Sequence, residues 1–283
     1  MLTIATVPKP FTNKNPHINI IQRNAIQSWL KIRPKCEIIF FGNDEGIAET
    51  AKEFGVLHVP DVKKDFGLPL LSEVFNLTKK MTQNNFLSFV NTDIILTSDF
   101  IKALESVRFP VFLMSGRRWD IDIKALIQFN NNWEEKIYQD VSARGKLHGF
   151  AGMDYFVFPR NLELNMPPFL AGRPGYDSWI LYKARYLRLP VIDATKATKV
   201  IHQNHSYSHR KGGVKVLKVA EGKRNINLAG GFSKMMTLRD ADWILTKDGL
   251  RKPEFPQSIF SQLSLFYPWR MMLGMKRKIK SLL

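Results

Sequence analysis

The chain has 283 residues with 45% apolar content, enough for one large domain or two small ones with a sizeable core, which excludes a disordered chain. Lys and Arg number 42 against 25 Asp and Glu, a formal charge of +17, so the surface attracts anions such as nucleic acid, acidic lipid or phosphorylated substrates. Cys36 is the only cysteine, which excludes a disulfide framework and a thiolate zinc site and fits a reducing compartment.

Residues 1–10 lack a basic leader region and have too short an apolar run before Pro8, so 2–7 is expected to be a first strand, not a signal peptide, and cytoplasmic residence follows. Short apolar, β-branched or aromatic runs predict further strands at 37–41, 56–59, 85–91, 111–115, 155–158, 191–193 and 199–202. Helical spacing covers 18–31, 45–54, 70–82, 98–107, 133–143 and 176–187, with Asp44 and Ser98 at N-cap positions. This alternation is the pattern of a mainly parallel sheet covered by helices. No repeat or Ser/Gly linker divides the chain, and residues 211–247, with five glycines among many lysines and arginines, read as loops or a mobile flap.

The tail differs in character. From Phe255 onward there is no acidic residue, while Arg270, Lys276, Arg277, Lys278 and Lys280 alternate with large apolar residues. That composition reads as a basic amphipathic segment lying on an anionic membrane surface, where each basic residue contributes on the order of 1 kcal/mol. The other reading is a C-terminal helix that packs its Leu and Met face on the domain. No apolar run is long enough to span a bilayer.

Ligands of open α/β sheets bind beyond the carboxyl ends of the strands. The expected strands end in Pro8-Lys9-Pro10, Gly42-Asn43-Asp44, Asn91-Thr92-Asp93, Gly116-Arg117-Arg118 and His202. Asp93 at a strand end and the distant imidazole of His202 can together hold a divalent cation, which neutralises a diphosphate. An imidazole favours manganese over magnesium. His202, His205 and His209 would share one face of a helix, as in a zinc hydrolase, but Asn204, Ser206 and Ser208 oppose a helix, so a strand followed by a loop is expected.

In order and placement, residues 2–209 resemble the GT-A class of nucleotide-diphospho-sugar glycosyltransferases, of the bacterial family-2-like type. The run Phe86-Leu87-Ser88-Phe89-Val90-Asn91-Thr92-Asp93 is similar to the strand that ends in that class's metal-binding DxD motif, with Asn91 in place of the first aspartate. The resemblance implies a mixed, mainly parallel α/β sheet flanked by helices, with residues 1–118 as the nucleotide-sugar half, 119–250 as the acceptor half and 251–283 as the basic tail. It implies hexosyltransferase activity on a nucleotide-sugar donor, UDP rather than GDP, toward a glycan or lipid-linked acceptor. Pro8, Asp44, Asn91, Thr92 and Asp93 would meet the donor, and Asp93 with His202 would hold the metal, manganese favoured over magnesium.

Asp177, after a glycine-rich turn at a helix start, matches the acidic base of inverting members, so inversion is expected. Helix capping is its alternative role, as it is for Asp44. Asp154 enters a strand from a loop of small residues and suits sugar hydroxyls, or the base role in second place. Arg117 and Arg118 can meet the diphosphate, and His148, Tyr176 and Trp179 the acceptor, although core packing is the default for large aromatics. The tail points to an acceptor at the inner membrane face, such as a lipid-linked glycan of a bacterial polysaccharide pathway. A sugar-1-phosphate nucleotidyltransferase would need a GxGTRL-like loop after the first strand, which Thr6-Val7-Pro8-Lys9-Pro10 does not supply. A nucleic-acid-binding protein would fit the charge, yet no helix-turn-helix, zinc-finger or RNA-recognition signature is present.

Overall fold

The structure is a computed structural model that describes residues 1–206, 217 and 219–282, with side chains for all of these except 267 and 280–282. Its elements in chain order are β1 (Leu2–Thr6), α1 (Pro16–Lys31), β2 (Glu37–Phe41), α2 (Ile47–Phe54), β3 (Leu57–Val59), β4 (Lys64–Asp65), β5 (Leu68–Pro69), α3 (Leu71–Met81), β6 (Phe86–Val90), β7 (Ile94–Ile95), α4 (Asp99–Glu105) and β8 (Leu113–Ser115). There follow β9 (Arg118–Ile121), α5 (Trp133–Arg144), β10 (Lys146–Leu147), β11 (Tyr155–Pro159), α6 (Tyr176–Tyr186), β12 (Val191–Asp193), β13 (Val200–Gln203), α7 (Ala220–Leu228), β14 (Trp243–Thr246), β15 (Gly249–Arg251), α8 (Gln257–Leu263) and α9 (Tyr267–Leu282).

Nine strands form one sheet in the order β15-β14-β12-β8-β11-β6-β1-β2-β3. It is mainly parallel; β11 runs antiparallel to both β6 and β8, and β15 to β14. This is the mixed α/β arrangement expected, and the reason is legible in single strands. Along β2, Ile38 and Phe40 join the core under α1 and α4, while Ile39 and Phe41 join the core under α3 and α6. A strand covered on both faces must be apolar at every position. Full burial of each such side chain contributes about 1.5–3 kcal/mol.

A second sheet, in the order β10-β9-β13-β7, packs on α5 through Ile95, Ile121, Ile137 and Ile201. Its registers set His202 opposite both Ile94 and Asp120. Three of its strands escape sequence patterning because segments of two to four residues have no measurable period.

Several local expectations change. Asp44 does not cap α2, since the cap position belongs to Gly46. There φ is +79° and any Cβ would stand 2.6 Å from the Phe11 carbonyl, so only glycine fits. Ser98 holds the N-cap position of α4 as expected, but its side chain makes no capping bond, its hydroxyl donating to Glu134 instead. The region 211–247 is not loop throughout: it contains α7, short 3₁₀ turns at Phe232–Lys234 and Leu238–Asp240, and β14. Residues 207–216, and with them the expected His209, lie outside the described residues. Among the described residues, no helix is long and apolar enough to cross a membrane.

Candidate functional site

The carboxyl ends of β1, β2 and β6 open into a cavity of about 240 Å³ whose lining includes Pro8, Lys9, Asp44, Asn91, Thr92, Asp93 and Arg173. Its walls are tied to the fold by specific bonds. Gln22 on α1 accepts from the Lys9 amide at 2.7 Å and donates to the Lys9 carbonyl at 3.0 Å, which fixes the loop after β1. The Phe11 amide donates to the Glu45 carbonyl at 2.9 Å, joining that loop to the one after β2. The hydroxyls of Thr6 and Thr92 lie 2.8 Å apart, linking the ends of β1 and β6.

Asp93 is the focus. Its Oδ2 stands 3.0 Å from His205 Nε2, 3.9 Å from His202 Nε2 and 4.0 Å from Lys9 Nζ. One ligand atom from each of Asp93, His202 and His205 falls within 4.8 Å of the others. Burial pushes the Asp93 carboxyl upward, yet the His205 hydrogen bond and the neighbouring His202, Lys9 and His205 outweigh it and hold the group far below the usual carboxylate range. Its other oxygen, Oδ1, is buried and accepts no hydrogen bond among the described residues. An orphaned anionic oxygen beside two convergent imidazoles is a donor set that fits a divalent ion, since a buried unpaired acceptor otherwise costs about 1–3 kcal/mol. His202 Nδ1 lies at ion-pair distance, 2.9 Å, from Asp120 Oδ1, so Asp120 stands behind this imidazole as the outer carboxylates of metal sites do.

From Asp120 a polar chain runs to Asn91 in the cavity wall. Arg118 donates from Nε to Asp120 at 2.8 Å and from a terminal nitrogen to Asp154 Oδ2 at 2.7 Å. Asn91 Nδ2 donates to Asp154 Oδ1 at 2.6 Å, and the Tyr176 hydroxyl reaches Asn91 at 3.5 Å. This explains the departure from the DxD pattern: an aspartate at 91 would set two carboxylate oxygens 2.6 Å apart, whereas the amide donates. His148 Nδ1 lies 2.6 Å from Asp120 Oδ2. Burial raises the Asp120 carboxyl, but the adjacent His202 and His148 imidazoles and the Arg118 charge outweigh it, and the net effect is a carboxyl held low.

The structure thus joins most of the expected residues, though not all in one place. Pro8, Asp44, Asn91, Thr92 and Asp93 line the cavity, with Asp44 paired to Lys64 at 3.4 Å. His202, Arg118, Asp154, His148 and Tyr176 enter through the network above. Asp177 Oδ1 accepts the amides of Gly175 at 3.1 Å and Ser178 at 2.8 Å at the start of α6. Burial pushes its carboxyl up, and the nearby Asp154 charge pushes in the same direction. Arg117 points elsewhere: its guanidinium lies 4.6 Å from the centre of the Phe150 ring. Trp179 is buried against Phe169, with ring centres 5.4 Å apart, and does not line the cavity.

Sequence reasoning missed Asp120 and gave His205 the lesser part. Asp120 had a faint signal in Arg118-Trp119-Asp120-Ile121, whose alternation puts Arg118 and Asp120 on one face of a strand. His205 lay in the histidine cluster, but no pattern in a loop says which way an imidazole points.

No family model matches the chain, and no curated protein matches it. Among solved structures, S. aureus TarS 1–349 shares 14% identity over 72% of this chain at a TM-score of 0.45, and this chain spans 60% of its length. TarS 1–349 in complex with UDP-GlcNAc shares 14% identity over 81% of this chain and 70% of that one, with a TM-score of 0.47. Glucosyl-3-phosphoglycerate synthase from Mycobacterium tuberculosis, in complex with Mn2+, UDP and phosphoglyceric acid, shares 13% identity over 80% of this chain and 76% of that one, with a TM-score of 0.46. The functional reading rests on the site.

Proposed function

We propose that this chain is a glycosyltransferase that takes a nucleotide-diphosphate sugar, UDP-linked in preference to GDP-linked, and passes the sugar to a hydroxyl of a glycan or lipid-linked acceptor in polysaccharide assembly. The single observation that carries the proposal is the convergence of Asp93, His202 and His205 at a cavity whose lining also holds Lys9, Asn91 and Arg173. A divalent ion held by Asp93, His202 and His205, manganese in preference to magnesium, would supply charge neutralisation at the departing diphosphate.

The chain's own residues do the remainder. Lys9 and Arg173 bring positive charge to the cavity where phosphate oxygens would lie. Arg118 and Asn91 lock the Asp154 carboxylate, whose free lone pairs can receive sugar hydroxyls. Asp177, with its proton affinity raised by burial, would take the proton of the acceptor hydroxyl while that oxygen bonds to the anomeric carbon and the bond to the nucleotide diphosphate breaks. Attack from the face opposite the leaving group inverts the anomer. Cytoplasmic residence belongs to the same proposal, resting on the single-cysteine composition that fits a reducing compartment.

The test is a panel of UDP- and GDP-sugars with manganese, read as nucleotide release by wild type and by Asp93→Ala. Loss of release in a variant whose circular dichroism is unchanged supports the reading; undiminished release overturns it. Product anomer by NMR decides inversion. A second reading draws on the same cluster, because two imidazoles and a carboxylate are also the ligands of hydrolytic zinc sites. Stoichiometric zinc in the purified protein, with no turnover of any nucleotide sugar, would favour that hydrolase.

A further inference from the structure

The C-terminal helix has its amphipathicity turned inside out. On α9 the residues facing the domain are Arg270, Gly274 and Arg277, whereas Met271, Met272, Met275 and Ile279 face outward. Arg270 is only 9% exposed; it stacks over the Tyr182 ring at 4.3 Å and donates to the carbonyls of Ser264 and Ser233. Arg277 donates to the Met235 carbonyl. Gly274 permits the close approach, since a Cβ there would lie 2.9 Å from the Ser233 amide nitrogen. A helix whose outer face met only water would bury its methionines and expose its arginines.

The outward face is broad and framed by cations. Met275 is 58% and Ile279 is 61% exposed, and Phe255, Ile259, Leu265 and Phe266 on the preceding turns are exposed as well. At 3.6 residues per turn, Lys276 and Lys278 fall on either side of the Met272, Met275 and Ile279 stripe, and both are exposed. No acidic residue occurs anywhere after Glu254. Two of the five cations that the composition assigns to a membrane contact, Arg270 and Arg277, are therefore turned inward and lost to it.

We propose that the outer face of α9, with the exposed apolar residues around α8, docks this protein on the surface of an anionic lipid bilayer. Apolar side chains flanked by lysines match an acyl boundary beneath acidic headgroups. A second copy of the same face is the poorer partner, because pairing it with itself would bring its lysines together with no carboxylate between them. The geometry holds the segment at a set angle to the domain: Arg185 on α6 donates to the Ser261 carbonyl at 2.9 Å, and the α9 arginines grip the turn at 233–235. Contact would therefore orient the domain on the membrane and not merely tether it.

Deleting the tail would expose the surface it covers, so the test uses full-length point variants on the exposed face. Sedimentation with vesicles of phosphatidylcholine alone and of phosphatidylcholine with phosphatidylglycerol reads binding without any sugar donor, and so stands or falls apart from the transferase reading. We expect wild type to bind the anionic vesicles and to weaken as salt rises. Lys276→Gln with Lys278→Gln should bind them roughly 25-fold more weakly, about fivefold per lysine. Met275→Glu with Ile279→Glu should lose at least about tenfold while thermal unfolding is unchanged. Equal affinity for neutral and anionic vesicles, no vesicle binding, or wild-type binding by the glutamate variant would each overturn the proposal. So would a wild-type dimer, in analytical ultracentrifugation, that the glutamate variant lacks, because a second copy would then cover the face.

Discussion

If Asp93, His202 and His205 form a divalent site, manganese should raise the unfolding temperature, and the size of the rise can be worked out. A ligand that binds only the folded state stabilises it by about 2.7 kcal/mol at a hundred times its dissociation constant. For a domain of this size each kcal/mol moves the midpoint by roughly 2–4 °C, so the expected rise is about 5–10 °C. Asp93→Asn keeps the shape of the side chain but removes the carboxylate charge from a site where its Oδ1 is buried and accepts no hydrogen bond among the described residues. Loss of an outer-shell partner weakens metal sites by about 10–100-fold, and loss of this direct oxygen should cost at least the upper figure. At the same manganese concentration the variant would then sit near its own dissociation constant, where the gain is only about 0.4 kcal/mol and the midpoint moves by under about 2 °C. The assay is differential scanning fluorimetry with manganese against EDTA, each protein compared with its own metal-free baseline. His205→Gln should behave like Asp93→Asn, because His205 Nε2 is the imidazole nitrogen nearest the carboxylate at 3.0 Å. A wild type that does not shift, or an Asn variant that shifts as far, refutes the assignment.

Asp177→Asn should lower sugar transfer by about a hundredfold or more while leaving the manganese-induced thermal shift intact; joint loss of both would show that the residue holds the site together and does not act on the acceptor. Arg118→Met leaves Asp120 and Asp154 facing each other without their shared cation, and should cost about 2–4 kcal/mol in urea unfolding, below the range for fully buried pairs because these groups keep some exposure. Burial raises the Asp193 carboxyl above the usual aspartate value, so the folded state binds the proton more tightly and stability falls as pH rises from that value through the raised one. Asp193→Asn should therefore flatten the decline in urea midpoint between acid and neutral pH, and an unaltered slope would assign the decline elsewhere. Gly274→Val should push α9 off the turn at Ser233 and make the segment after Glu254 the first site of limited proteolysis, whereas an unchanged digestion pattern would show that the helix slides to accommodate it.

The run Glu37 to Phe41 and the spacing through α1, α3 and α6 declared their secondary structure because each was read from one stretch of chain, where period and burial are tied together. Asp93 and His202 were legible as candidates for a related reason, each standing at the end of such a run. Most of what surrounds them was not. Asp120 belongs to β9 and Ile94 to β7, strands of four and two residues that are too short to show a period and that are brought to His202 by pairing with β13.

The tail makes the same distinction. Its composition declared a basic amphipathic segment, but local composition cannot say that Arg270 and Arg277 bind backbone carbonyls of 233–235 while the methionines are left outside. Periodicity along this chain was enough to indicate the longer strands, the helices from α1 to α6 and the strand-end candidates, since those follow from short-range sterics and burial, but not α7, β14 or the two-residue strands. Only tertiary contact decided which imidazole meets Asp93, which carboxylate stands behind His202 and which face of the last helix is open, because each depends on residues far apart in the chain, or on a neighbouring surface, that no local pattern encodes.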